Sequence, residues 1–320
     1  MENVKAAGDI TVLYREALKA FVDKIKRDEQ VIAAVLLGSL SYDQVWEKSD
    51  IDLKIIVHDQ KLRSGYMCFV ENEVPINAGI QTRNEFKRWM ERSVQSSISH
   101  SMLIRSTLLF TKDPSIAEYF EQIRYVGERD RQLQLIRLGG YTLGLLAKAE
   151  KWLYVKQDVT YSAFWLIKMA DVLAQVEVVL HGEVPMREAV QQAIALNPAF
   201  FRRTYTELVG GEVDRQQVTG VIQLINEYLN ERAERLFKPV LDYLKEEADM
   251  RTVTDIAEKF GVVIELDTGS VATICDWLAE RGLLAKMESE TKVTPKSRLQ
   301  VTEPAYFYED AEDSMPGWET

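Results

Sequence analysis

A chain of 320 residues with 46% hydrophobic and 28% charged side chains has an ordinary globular composition and is long enough for two or three domains with their own cores. Fifty acidic against thirty-nine basic side chains leave a net charge of −11, which opposes loose electrostatic binding to DNA, RNA or an anionic membrane. Cys68 and Cys275 are too few and too far apart for a disulfide framework or a zinc site, and three histidines argue against a His-rich metal site.

The N-terminal stretch MENVKAAGDITVLYREALKAF has neither the basic start nor the apolar run of a signal peptide. No segment approaches about eighteen uninterrupted apolar residues, so no membrane span and a cytoplasmic location are expected. Leu13, Ala17, Phe21 and Ile25 recur at helical spacing and predict an amphipathic helix over 11–27. Residues 31–57, VIAAVLLGSLSYDQVWEKSDIDLKIIV, then read as an apolar strand, the pair Gly38-Ser39, a spacer, and Asp50-Ile51-Asp52 opening a second apolar strand. Carboxylates at i and i+2 of a strand share a face about 6–7 Å apart, so Asp50 and Asp52 can grip the same metal ions. Gly38 lets backbone approach a phosphate, and Ser39 offers it a hydroxyl and an N–H.

Further strands are expected at 66–70 and 74–82, separated by the turn-like Glu71-Asn72-Glu73, and at 106–111; a helix begins near Asn84. From 115 to 250 the periodicity becomes helical. Leu133, Ile136, Leu143, Leu146 and Leu153 suggest one long or kinked helix, interrupted or closely packed near Gly139-Gly140; another spans 161–180 and a final one spans 218–247. Residues 252–260 and 270–280 read as the two helices of a helix-turn-helix, and 285–308 alternate like a hairpin wing. This segment resembles a winged helix. Between Arg251 and Arg298 there are seven basic and eight acidic side chains, and the second helix carries Arg281 as its only base. DNA is therefore not the partner this segment is expected to take, and an interaction or dimerisation role, including a homodimer, is favoured. The last residues, 309–320, form an acidic tail.

The order apolar strand, Gly38-Ser39, spacer, Asp50-x-Asp52 and apolar strand resembles the polymerase-β-type nucleotidyltransferase superfamily, which includes kanamycin nucleotidyltransferases. The resemblance implies an α+β fold with a mixed-sheet nucleotidyltransferase domain over 1–115, a helical substrate-binding domain over 116–250, and the winged helix over 251–308. That order is similar to an uncharacterised bacterial nucleotidyltransferase-like family. The implied activity is Mg²⁺-dependent transfer of a nucleoside monophosphate from an NTP to a hydroxyl of a small molecule or protein. Asp50 and Asp52 would be both catalytic and metal ligands, and Gly38 and Ser39 would hold the triphosphate.

The superfamily takes a third carboxylate from a later strand, and the position expected for it here is Asn77. An amide oxygen can ligate Mg²⁺ but brings no charge and takes no proton from an attacking hydroxyl. Glu73 or Glu85 would supply the charge in a shifted register. A catalytically degenerate nucleotide-binding regulator or scaffold, using the winged helix for protein interaction, is therefore the alternative reading, with a transcription factor the third. Within the helical segment Lys151 is the candidate phosphate contact, accompanied by Lys148 and Lys156; Asp158 is a candidate for a cationic acceptor, and Trp152, Tyr161 and Trp165 for stacking on a ring. His100 is a candidate proton acceptor.

Overall fold

The computed structural model of the chain describes residues 7–42, 45–93, 98–122, 126–264 and 266–308, so the acidic tail at 309–320 lies outside the described residues. The chain divides into two compact units, 1–127 and 128–320.

The first unit opens with helix α1 (Ala7–Ile25), followed by strands β1 (Val31–Leu37), β2 (Ile51–Val57), β3 (Tyr66–Glu71) and β4 (Val74–Thr82). Helices α2 (Arg83–Ser93) and α3 (Ile98–Ile104), strand β5 (Thr107–Thr111) and helix α4 (Pro114–Gln122) complete it. The five strands form one sheet in the order β3-β4-β2-β1-β5, with β2 and β4 parallel and the other pairs antiparallel. Strand β1 is buried along its whole length, VIAAVLL, because both faces of the sheet are covered. Ala34, Leu36, Leu53 and Ile55 pack with Tyr14, Ala17 and Phe21 of α1 on one face. On the other, Val35, Leu37 and Ile56 pack with Phe86 and Met90 of α2, Leu103 of α3 and Ile116 of α4.

Two local signals fix the register of this sheet. Asn72 and Glu73, both at positive φ (48° and 65°), join β3 to β4 as a two-residue hairpin whose twist suits the flanking strands. At the far end of β4 the Thr82 amide donates to Glu85 (2.9 Å) and the Glu85 amide donates to the Thr82 hydroxyl (3.3 Å), a reciprocal cap that starts α2.

The second unit begins with α5 (Glu128–Glu150), a π-helical turn (Lys151–Val155) and α6 (Val159–Leu180). It continues through α7 (Ala189–Leu196), α8 (Pro198–Phe201), a second π-helical turn (Arg202–Thr206), α9 (Glu207–Gly210), α10 (Arg215–Glu231), α11 (Ala233–Leu236) and α12 (Lys238–Glu247). A short strand β6 (Arg251–Thr252), helices α13 (Val253–Ile264) and α14 (Thr268–Ala279), and strands β7 (Ala285–Thr291) and β8 (Val301–Phe307) follow; the three strands pair in the order β6-β8-β7. Residues on both sides of 250 share one core, in which Leu135, Leu173 and Phe237 join Phe260, Trp277 and Tyr306.

Two helical expectations change in detail. Helix α5 runs unbroken through Gly139-Gly140, where space is the constraint: a Cβ on Gly139 would lie 2.8 Å from the Phe237 ring, and one on Gly140 would lie 3.1 Å from Ile274. The single helix expected over 218–247 is three, because Arg232 and Phe237 leave helical geometry and Pro239, lacking an N–H, is accommodated in the first turn of α12.

Candidate active site

The candidate residues of the first unit meet where β1 ends and β2 begins. Gly38 terminates β1 at φ +69°, a left-handed conformation, and Ser39 opens a short 3₁₀ turn (Ser39–Tyr42). The Ser41 hydroxyl and amide both donate to the Gly38 carbonyl (2.7 and 3.0 Å), which locks this turn. A Cβ on Gly38 would overlap the Asp52 carboxylate and lie 3.2 Å from its Cγ, so the bare glycine backbone makes room for that acid.

Asp52 is the second residue of β2 and pairs with Leu37 on one side and Asn77 on the other. Cys68 on β3 pairs in turn with Asn77. Residues directly opposite one another in a sheet point to the same face, so Asp52, Asn77 and the exposed Cys68 form one row across three strands. Asp50 stands just before the strand, and the Asn77 side-chain amide donates a hydrogen bond to its carboxylate. Both acids are half-buried, and Asn77 is exposed. The parallel register thus puts Asn77, and neither glutamate, beside the acids: Glu73 lies in the β3–β4 turn and Glu85 caps α2, where that bonding holds its carboxyl below the ordinary range.

Two supporting groups escaped the sequence reading. The buried Tyr14 hydroxyl on α1 donates to the Ser49 carbonyl (2.6 Å), tethering the residue next to Asp50; burial and then the Asp50 charge raise the phenol's pKa. Ser49 closes a tight turn with Trp46 through two bonds (2.9 and 3.1 Å). The second group is Lys54, two residues beyond Asp52 and on the same face. Its ammonium lies 4.8 Å from the centre of the Trp89 ring and 5.6 Å from that of Tyr66, and burial lowers its pKa. The apolar spacing Phe86, Trp89, Met90 on α2 was the available signal, because burying Phe86 and Met90 against the sheet brings Trp89, on the same helix face, beside Lys54.

The remaining candidates stand on other elements. Lys151 is exposed at the start of the first π-helical turn, in the second unit. Asp158 accepts from the Tyr161 amide (2.8 Å) as the N-cap of α6, a structural use of that carboxylate. Trp152, Tyr161 and Trp165 belong to one aromatic cluster with Phe164, in which Lys148 stacks 4.6 Å from the Trp165 ring centre. His100 is wholly buried in α3, which removes it from contact with a dissolved substrate.

Among the described residues no group of three or more His, Cys, Asp or Glu side chains is arranged to hold a metal ion. Two carboxylates and an amide oxygen nevertheless suit one Mg²⁺, which takes a few protein oxygens and completes its octahedron with water and substrate phosphate. Among the described residues no helix is long and apolar enough to cross a membrane.

Residues 19–115 match the family described as polymerase beta nucleotidyltransferase, so this segment is a nucleotidyltransferase domain of that type. Among solved structures the chain is similar to a nucleotidyltransferase-like protein from Exiguobacterium sibiricum, at 14% identity and a TM-score of 0.65 over 92% of this chain and 98% of that one. At that identity the likeness is one of fold. No curated protein matches the chain in sequence.

Proposed function

We propose that the polymerase-β-type domain binds a Mg²⁺–NTP complex at Asp50, Asp52 and Gly38-Ser39 and transfers a nucleoside monophosphate to a hydroxyl of a small molecule or protein. The single observation that carries this reading is the packing of the Asp52 carboxylate against Gly38, which joins the acid pair to the phosphate-binding turn. In the transfer, the acceptor oxygen forms a bond to the α-phosphorus, the bond from that phosphorus to the bridging oxygen breaks, pyrophosphate leaves, and the hydroxyl proton passes to solvent. Mg²⁺ would neutralise phosphate charge and acidify the acceptor hydroxyl. Asp50 and Asp52 would hold it, with the Asn77 oxygen as a neutral third ligand. Ser39 would orient the phosphates with its N–H and hydroxyl.

The Asn77–Asp50 hydrogen bond favours a second reading, a nucleotide-binding regulator with little or no turnover. An amide in that position fixes Asp50 but accepts no proton. The segment 251–308, with its two helices and paired strands, would serve under this reading as a winged helix that reports nucleotide occupancy to a protein partner. Titration of the four NTPs with and without Mg²⁺ into wild type and Asp52→Asn tests binding, and pyrophosphate release tests turnover. Metal-dependent binding abolished by Asp52→Asn, with release of pyrophosphate, supports the transferase. Metal-dependent binding without release supports the regulator, and Asn77→Asp should then raise activity. Binding unaffected by Asp52→Asn in a folded protein refutes the site.

A further inference from the structure

Lys54 has no place in the acid–metal scheme, yet it stands on the same strand face as Asp52, one side-chain step along β2. Successive residues on one face of a strand are about 6–7 Å apart. Its register partner is Gly79, whose own partner on β3 is Tyr66. The row Tyr66, Gly79, Lys54 therefore runs beside the row Cys68, Asn77, Asp52. The missing side chain at Gly79 is what lets the lysine lie across β4: a Cβ there would be 3.1 Å from Nζ and 3.2 Å from Cδ. Trp89 and Tyr66 flank the ammonium.

Among the described residues the partners of Lys54 are these two rings, and no carboxylate lies in ion-pair reach. A half-buried ammonium held by rings alone has given up hydration without gaining a counter-ion, and an anion arriving beside it recovers the difference. The adjoining row holds the Asp52 carboxylate and the neutral Asn77 amide, which bonds to Asp50, so the two acids and the lysine together carry one net negative charge. Such a floor gives less support to a second divalent cation than three carboxylates would, and it leaves one fixed positive charge within a phosphate chain's reach of the acid pair.

We propose that Lys54, set in the Trp89–Tyr66–Gly79 cradle, is the subsite for the terminal phosphates of the bound nucleotide. The assignment rests on the nucleotide-binding reading and specifies its ligand as a nucleoside polyphosphate rather than a monophosphate or nucleoside. Lys54 is a binding residue under this proposal, and the rings keep its ammonium extended and partly dehydrated, which strengthens its bond to phosphate.

The test is calorimetric titration of NTP, NMP and inorganic tripolyphosphate, each with Mg²⁺, into the full-length wild type, Lys54→Met and Lys54→Arg, with thermal melts recorded for all three. Lys54→Met should weaken NTP and tripolyphosphate binding about tenfold or more while changing NMP affinity less than about twofold, and Lys54→Arg should keep most of the affinity. Equal NTP affinity in wild type and Lys54→Met overturns the subsite while leaving the nucleotide site standing. Lysine-dependent binding of tripolyphosphate without any NTP binding keeps the anion site and removes the nucleotide reading. If neither ligand binds, both fall. Should Lys54→Met melt early, the titrations are repeated with Lys54→Gln below its melting temperature, and NTP affinity within about twofold of wild type in that variant overturns the proposal.

Discussion

Gly38 and Gly282 offer a matched pair of substitutions that separates backbone strain from crowding of Asp52. Both adopt nearly the same left-handed conformation, φ +69° and +70°, so an alanine at either meets the same intrinsic penalty of about 1–2 kcal/mol. Their surroundings differ. A Cβ on Gly282, at the C-terminal end of α14, meets nothing within 4 Å, whereas one on Gly38 overlaps the Asp52 carboxylate and lies within 3.3 Å of its Cβ. Forcing such a contact adds about 1–3 kcal/mol of overpacking, relieved only by displacing Asp52. Gly282→Ala should therefore lose about 1–2 kcal/mol in urea denaturation and bind Mg²⁺–NTP like wild type. Gly38→Ala should lose at least about 1 kcal/mol more and show weakened binding, because moving Asp52 is the way the clash is relieved. If Gly38→Ala is no less stable than Gly282→Ala and retains wild-type affinity, the Gly38–Asp52 packing does not shape the site.

Removing the Tyr14 hydroxyl by Tyr14→Phe should cost about 1 kcal/mol of stability, since the half-buried Ser49 carbonyl loses its donor, and should weaken metal–nucleotide binding through Asp50; denaturation together with calorimetry checks both. Iodoacetamide should modify the exposed Cys68 in the native protein and Cys275 only after unfolding, because burial pushes the Cys275 thiol up to about 12. Mg²⁺–NTP should slow the Cys68 reaction, since that residue lies two strands, about 10 Å, from Asp52; mass spectrometry of tryptic peptides with and without nucleotide measures it. In the second unit the Tyr228 hydroxyl donates to the buried Glu177 (2.5 Å), and burial first, then the Glu177 charge, raises its pKa above the ordinary 10.0. The unfolded phenol ionises first on titration with base, so this stability is complete below about pH 10 and is lost as pH rises beyond it. Tyr228→Phe should lose about 1–3 kcal/mol at neutral pH and show a shallower alkaline decline in urea denaturation series at rising pH.

The sequence alone disclosed the strands around the acid pair because buried β-branched runs, a glycine and two carboxylates two residues apart are local signals. β1, β2 and β4 fall where 31–57 and 74–82 place them, and the glycine between β1 and β2 has the backbone conformation that only its type adopts readily. Helix α6 was equally legible from its apolar spacing over 161–180. Breaks at Arg232 and Phe237 were not, because the periodicity of 218–247 survives them and Pro239 is tolerated in a first helical turn. Gly139-Gly140 carried a signal of two meanings, and only the positions of Phe237 and Ile274 decide that it marks close packing. Which residue stands beside the acids was likewise a matter of pairing: a shift of one residue in β4 would turn Asn77 to the other face, and the hairpin at Asn72-Glu73 with the cap at Thr82-Glu85 fixes the register. The tether from Tyr14 and the cradle of Lys54 join residues 35 apart in sequence, or on four different elements, and have no local pattern. Local stereochemistry therefore determined the strands and the acids, while the neighbours that charge, orient and restrict those acids were decided by sheet register and helix packing, which act between distant segments and leave no periodic trace in either one.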